Sequence, residues 1–71
     1  MRNLTKKQAL REEAKLVMWN YYKENKDRLP KWIRGYREDV IEGLMNGEDV
    51  ETVFSTIVET VERDLALLKV A

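Results

Sequence analysis

The chain has 71 residues, 44% of them hydrophobic and 37% charged, with no formal net charge and neither cysteine nor histidine. That length allows one domain, marginal on its own because so short a chain buries only about 60% of its unfolded surface. The composition excludes disulfides and thiolate metal sites and leaves only carboxylates, Lys, Tyr, Ser and Thr for acid–base or nucleophilic work.

The zero net charge hides a division. Before Glu38 there are eleven Lys and Arg against four Asp and Glu, and from Glu38 onward there are two against nine, so the halves carry +7 and −7. The longest apolar runs are Leu16 to Trp19 and Leu65 to Leu68, four residues each. Neither approaches a membrane span. The N-terminus lacks the apolar core of a signal peptide. These features lead us to expect a soluble, cytoplasmic protein with no membrane partner.

The first helix is expected over 6–26. Thr5 is placed as its N-cap, and Gln8 three residues later completes a capping box. Leu4 and Ala9 are spaced as a weak hydrophobic staple. Leu10, Ala14, Val17, Met18 and Tyr21 form the core stripe, with Tyr22 at its edge. Arg2, Lys6, Lys7, Arg11 and Lys15 crowd the positive end of the helix dipole. Leu16 and Trp19 fall on the opposite side, where with Ala9 they make a second apolar strip. Either the bundle wraps round far enough to cover it, or Trp19 lies flat under Lys15 and Lys23, or it is a surface for a partner or a second copy. Trp is favoured at such contacts, and so small a bundle has few elements with which to cover two sides of one helix.

The second helix is expected over 31–46. Pro30 suits its first position, and Asn46-Gly47 is a stop signal. Leu29, preceding proline, should be non-helical. Ile33, Tyr36, Val40, Ile41, Leu44 and Met45 share one side, with Trp32 at the margin. Lys31, Arg34 and Arg37 precede Glu38, Asp39 and Glu42, against the dipole, a conflict that an Arg34–Glu38 pair at i,i+4 would partly offset. Gly35 and Gly43 interrupt the helix. Gly43 borders the stripe, where it either admits a neighbouring helix at close range or, like Gly35, is a tolerated defect.

The third helix is expected over 49–69, with Glu48 and Asp49 correctly placed at its start. Val50, Val53, Phe54, Ile57, Val58, Val61, Leu65 and Leu68 make a continuous stripe of period 3.6. Its β-branched residues make it dependent on tertiary packing. Leu67 and Val70 lie off the stripe.

The fold class is therefore all-α, a small three-helix bundle, with a homodimer expected from the second apolar strip and the small core. The core is predicted to be Leu10, Ala14, Val17, Met18, Tyr21, Ile33, Tyr36, Val40, Leu44, Val53, Phe54, Ile57, Val61, Leu65 and Leu68.

No phosphate loop, zinc spacing or nucleophile motif is present. Glu48/Glu51 and Glu59/Glu62 are i,i+3 carboxylate pairs of a kind ordinary on solvated faces. We expect neither enzymatic activity nor a cofactor or metal. Residues 40–50 resemble a helix-turn-helix superficially, but the second helix opens with acids that phosphates would repel.

Two binding classes remain. The first is a protein-binding adaptor, regulator or inhibitor docking through Leu16, Trp19, Lys15, Lys23 and Trp32. The second is a nucleic-acid-binding regulator using Lys6, Lys7, Arg11, Lys15, Arg34 and Arg37. Five of the six aromatics, Trp19, Tyr21, Tyr22, Trp32 and Tyr36, accompany these bases, and such rings can stack on unpaired bases. The plainer account of the basic residues ranks above nucleic-acid binding: they neutralise acids of the third helix, within one bundle or across a dimer. Short cofactor-free chains are common among phage and plasmid regulators, an analogy of size alone.

Overall fold

The computed structural model describes residues 5–70. Arg2, the Leu4 half of the staple and the side chain of Val70 lie outside the described residues. The elements in order are α1 (Lys6–Asn25), a 3₁₀ helix (Lys31–Tyr36), α2 (Arg37–Met45) and α3 (Val50–Val70). The described residues include no strand. The chain is a small all-α three-helix bundle.

Local chemistry explains the boundaries. Thr5 Oγ1 accepts from the Gln8 amide at 3.1 Å, and Gln8 Oε1 accepts from the Thr5 amide at 2.9 Å. This capping box satisfies two donors that the first turn leaves without partners. α1 ends at Asn25, one residue before the expected Lys26. The Asn25 carbonyl accepts from the amides of Arg28 and Leu29 at 2.9 and 3.0 Å.

The middle of the chain departs from the single helix expected over 31–46. Pro30 is extended, with φ −67° and ψ 149°, and precedes a six-residue 3₁₀ helix in which the Ile33 amide donates to the Pro30 carbonyl at 3.1 Å. The α-helix proper begins only at Arg37, so its first turn contains Glu38 and Asp39. The dipole conflict expected here is thus absent: the acids stand at the positive end of α2, where they stabilise it. Lys31 and Arg34 precede α2 altogether.

α2 ends as the sequence indicates. Gly47 has φ +90°, the Gly47 amide donates to Leu44 at 3.0 Å, and the Glu48 amide donates to Gly43 at 3.1 Å. These two bonds make a Schellman motif, which needs a left-handed residue at Gly47. Asp49 then caps α3, its Oδ2 accepting from the Thr52 amide at 3.3 Å. α3 starts at Val50, one residue later than expected.

The buried core is Ala14, Met18, Ile33, Val40, Ile41, Val53 and Phe54. Tyr21 stacks on Phe54, with ring centroids 4.7 Å apart and planes at 29°. Ile41, on the expected stripe but outside the predicted core, is one of its most buried members. Gly43 is buried where α2 meets α3, at the close approach its position suggested.

Four predicted core residues are exposed: Leu10, Val17, Leu65 and Leu68. The cause is a stagger between α1 and α3. Val50 lies near Leu10 and Val17, whereas Val58 and Glu59 already lie beside Asn25, Arg28 and Leu29 at the far end of α1. The two helices run in the same direction, and α3 continues past the α1–3₁₀ connection with nothing among the described residues to cover it. The long dimension of 54 Å reflects that overhang, since α1 alone accounts for only about 30 Å.

A candidate partner-binding face

The face with the most varied chemistry lies where α1 meets the 3₁₀ helix and α2. Trp19 and Tyr22 stand three residues apart on α1, close enough to touch along one helix face. Their rings meet edge-on, with centroids 5.7 Å apart and planes at 88°. Met18, Ile33, Val40 and Phe54 floor the cleft beside them, and Arg34 and Arg37 stand at its edge. The space left there is about 10 Å³, room for one water molecule at most. The cleft is therefore too small to hold a ligand of its own.

Trp19 remains 36% exposed, and Leu16, one turn earlier on α1, is 67% exposed. Lys23 follows one turn later and is also exposed. Lys15 is half-buried and sits 3.4 Å from Glu12. Trp32 does not line this cleft. It is half-buried against the core and meets Tyr36 edge-on at 5.5 Å. The structure thus brings Trp19, Tyr22, Arg34 and Arg37 together and places Trp32 elsewhere.

No protein-family model matches the chain, and neither the curated proteins nor the solved structures yield a match. What this face can bind follows from its own chemistry.

An acid lies next to this face, since Arg37 at the edge of the cleft also acts on Glu38. Arg11 Nη2 donates to Glu38 Oε2 at 2.8 Å and to Oε1 at 2.9 Å. That hydrogen bond holds the Glu38 carboxyl below its ordinary range. Partial desolvation opposes the shift, and the charges of Arg11, Lys15 and Arg37 add to it. The expected Arg34–Glu38 pair is replaced by this contact across 27 positions of sequence. With the 3₁₀ helix in place, Arg34 and Glu38 do not sit on one continuous α-helix, the condition for an i,i+4 pair.

The candidate nucleic-acid contacts are divided in consequence. Arg11 and Lys15 face carboxylates. Arg34 and Arg37 flank Trp19, and Lys6 and Lys7 are exposed in the first turn of α1. Sequence reasoning missed Tyr22 as part of this face and Glu38 as the partner of Arg11 beside it. Tyr22 carries a signal, three residues from Trp19. Glu38 carries none, because its partner is distant in sequence. Among the described residues no three carboxylates come close enough to share a metal ion, and no helix is long and apolar enough to cross a membrane.

Proposed function

We propose that the protein is a non-catalytic interaction protein of the cytoplasm, an adaptor, regulator or inhibitor, that works without a cofactor and docks an acidic protein segment on the Trp19 face. The observation that carries this reading is an indole held against Tyr22, partly exposed, beside Leu16 and between cationic side chains. A ring already fixed by its neighbours loses little freedom on binding, and aromatic anchors of this kind dominate interface energies. Arg34, Arg37 and Lys23 supply complementary charge for an acidic partner, which raises the association rate and aligns the segment.

Nucleic-acid binding is the second reading, favoured by the placement of Arg34 and Arg37 beside an exposed ring. Against it stand the pairings of Arg11 with Glu38 and of Lys15 with Glu12, which compensate two of the candidate phosphate contacts, whereas the Trp19 face relies on Arg34, Arg37 and Lys23. Capture from lysate, with and without nuclease, separates the two. We expect a captured protein to survive nuclease and to be lost with Trp19→Ala or with the surface change Leu16→Asp. Capture that ends with nuclease, weakens steeply with salt and is abolished by Arg34→Glu and Arg37→Glu supports nucleic acid. Self-association as a homodimer is part of the first reading, since the uncovered apolar residues exceed what the Trp19 face uses.

A further inference from the structure

The four apolar residues that left the core form two patches at opposite ends of the molecule. At one end Leu10, 50% exposed, and Val17 border a groove between α1 and the α2–α3 turn, with Leu44 and Val50 in its wall. At the other end Leu65, 45% exposed, and Leu68, 73% exposed, lie on the α3 overhang. They continue the stripe that buries Phe54 and packs Val58 on the core. The spacing from Phe54 through Val58, Val61 and Leu65 to Leu68 alternates four and three residues. That is the spacing of a helix seam facing another helix along its length. The seam is covered as far as Val58 and uncovered beyond Val61.

We infer that each patch is covered by the other patch of a second copy, in a two-fold dimer whose protomers lie antiparallel, side by side. The inference rests on the homodimer part of the reading above and adds the surface and the arrangement. Three observations carry it. The first is polarity. Because overhang and groove lie at opposite ends, a two-fold axis across the long dimension sets each overhang against the other copy's groove end. The second is reach. From Val58, level with Asn25, α3 runs on to Val70 for about 18 Å, comparable with the roughly 22 Å along α1 from Asn25 back to Leu10.

The third observation is charge. The groove is edged by Glu13, Glu48 and Asp49. The overhang carries Lys69 in its last turn and Arg63 six residues earlier, alongside the acids Glu62 and Asp64. Apolar residues thus meet apolar residues, and the bases at the overhang, Lys69 at its tip, come to a groove whose charged lining residues are acids. Pairing the overhangs with each other instead leaves both grooves open. The dimer contact uses the α3-facing side of α1 and leaves Leu16 and Trp19 accessible.

Sedimentation of the wild type over a wide concentration range, together with Leu10→Asp and Leu68→Asp, tests the arrangement. Both positions are exposed in one protomer, so both variants should keep the wild-type circular dichroism under monomeric conditions. We expect each variant alone to weaken dimerisation by roughly tenfold or more, because a charge replaces an apolar contact twice per dimer. Mixing the two variants should restore much of the association. In the mixed dimer the intact tip of Leu10→Asp meets the intact groove of Leu68→Asp, and both substitutions fall in the other contact. A wild type that stays monomeric overturns the inference and the homodimer reading together. A dimer indifferent to Leu10→Asp, or one that mixing does not restore, overturns this arrangement alone.

Discussion

A β-carbon added at Gly43 would lie 3.0 Å from Cγ2 of Val53 and 3.2 Å from its Cγ1. α2 and α3 approach this closely only because residue 43 has no side chain. Val53 is buried and β-branched, so it has little room to turn away. In Gly43→Ala the better helix propensity of alanine, worth about 1 kcal/mol, is set against overpacking that costs roughly 1–3 kcal/mol. We expect a net loss of about 1 kcal/mol in urea unfolding. Gly35 is the control: a β-carbon there meets nothing within 4 Å. Gly35→Ala should be neutral or stabilising by about 0.5 kcal/mol.

Gly47 makes a different demand. Its φ of +90° is the left-handed conformation that closes α2. Space is available there, and strain alone opposes a side chain. Gly47→Ala should destabilise by about 1 kcal/mol, and Gly47→Asn, which tolerates that region better, by less. Equal losses for the two would contradict the Schellman assignment.

The stagger of α3 divides its stripe energetically. Val53 and Phe54 are buried, whereas Leu65 and Leu68 are not. Phe54→Ala should cost about 3–5 kcal/mol and unfold much of so small a domain. Leu68→Ala, measured at concentrations where the protein is monomeric, should change stability by less than about 0.5 kcal/mol. A large loss for Leu68→Ala in the monomer would mean that the overhang folds back on its own bundle.

The Arg11–Glu38 contact sets a pH dependence. Glu38 has its folded pKa lowered, chiefly by the Arg11 hydrogen bond. A group lowered on folding contributes stability above its unfolded value, about 4.3 for glutamate. That contribution disappears as pH falls through the lower folded value. Wild type should therefore exceed Glu38→Gln slightly in thermal midpoint at neutral pH, and the two should converge in acid. Glu38 is largely exposed and Arg11 partly so, so the difference should be small and should shrink with salt. A gap that widens in acid would contradict the assignment.

The legible parts of the fold were those written in short spans. Thr5 with Gln8, Asn46 with Gly47, and the 3.6-residue stripes on three segments give the helices and two of their ends, because caps and periodicity act within a turn or two of chain. The 3₁₀ helix was not legible. Its residues satisfy an α-helical pattern as well, and only the misplaced order of bases and acids hinted that the α-helix begins at Arg37. The slide of α3 along α1 was hidden for another reason. A stripe shows which side of a helix is apolar but not how far along it a neighbour reaches, so Leu10, Val17, Leu65 and Leu68 read as core. In the site, Trp19 stood out by its position opposite the stripe. The Arg11–Glu38 contact depends on packing between distant segments and leaves no mark in the spacing of either residue.

The overhang makes folding and assembly visible in the same signal. Beyond Val61 the helix of a lone protomer is held by its own backbone hydrogen bonds alone, and a stretch that short is marginal in water. Its last amides should exchange hydrogen rapidly by fraying in dilute solution while those of Val40, Ile41 and Phe54 stay protected. Concentrating the protein should slow exchange in the overhang without altering the core. Protease nicking near Leu67 should follow the same course, fading as the tail of one molecule is sheltered by another.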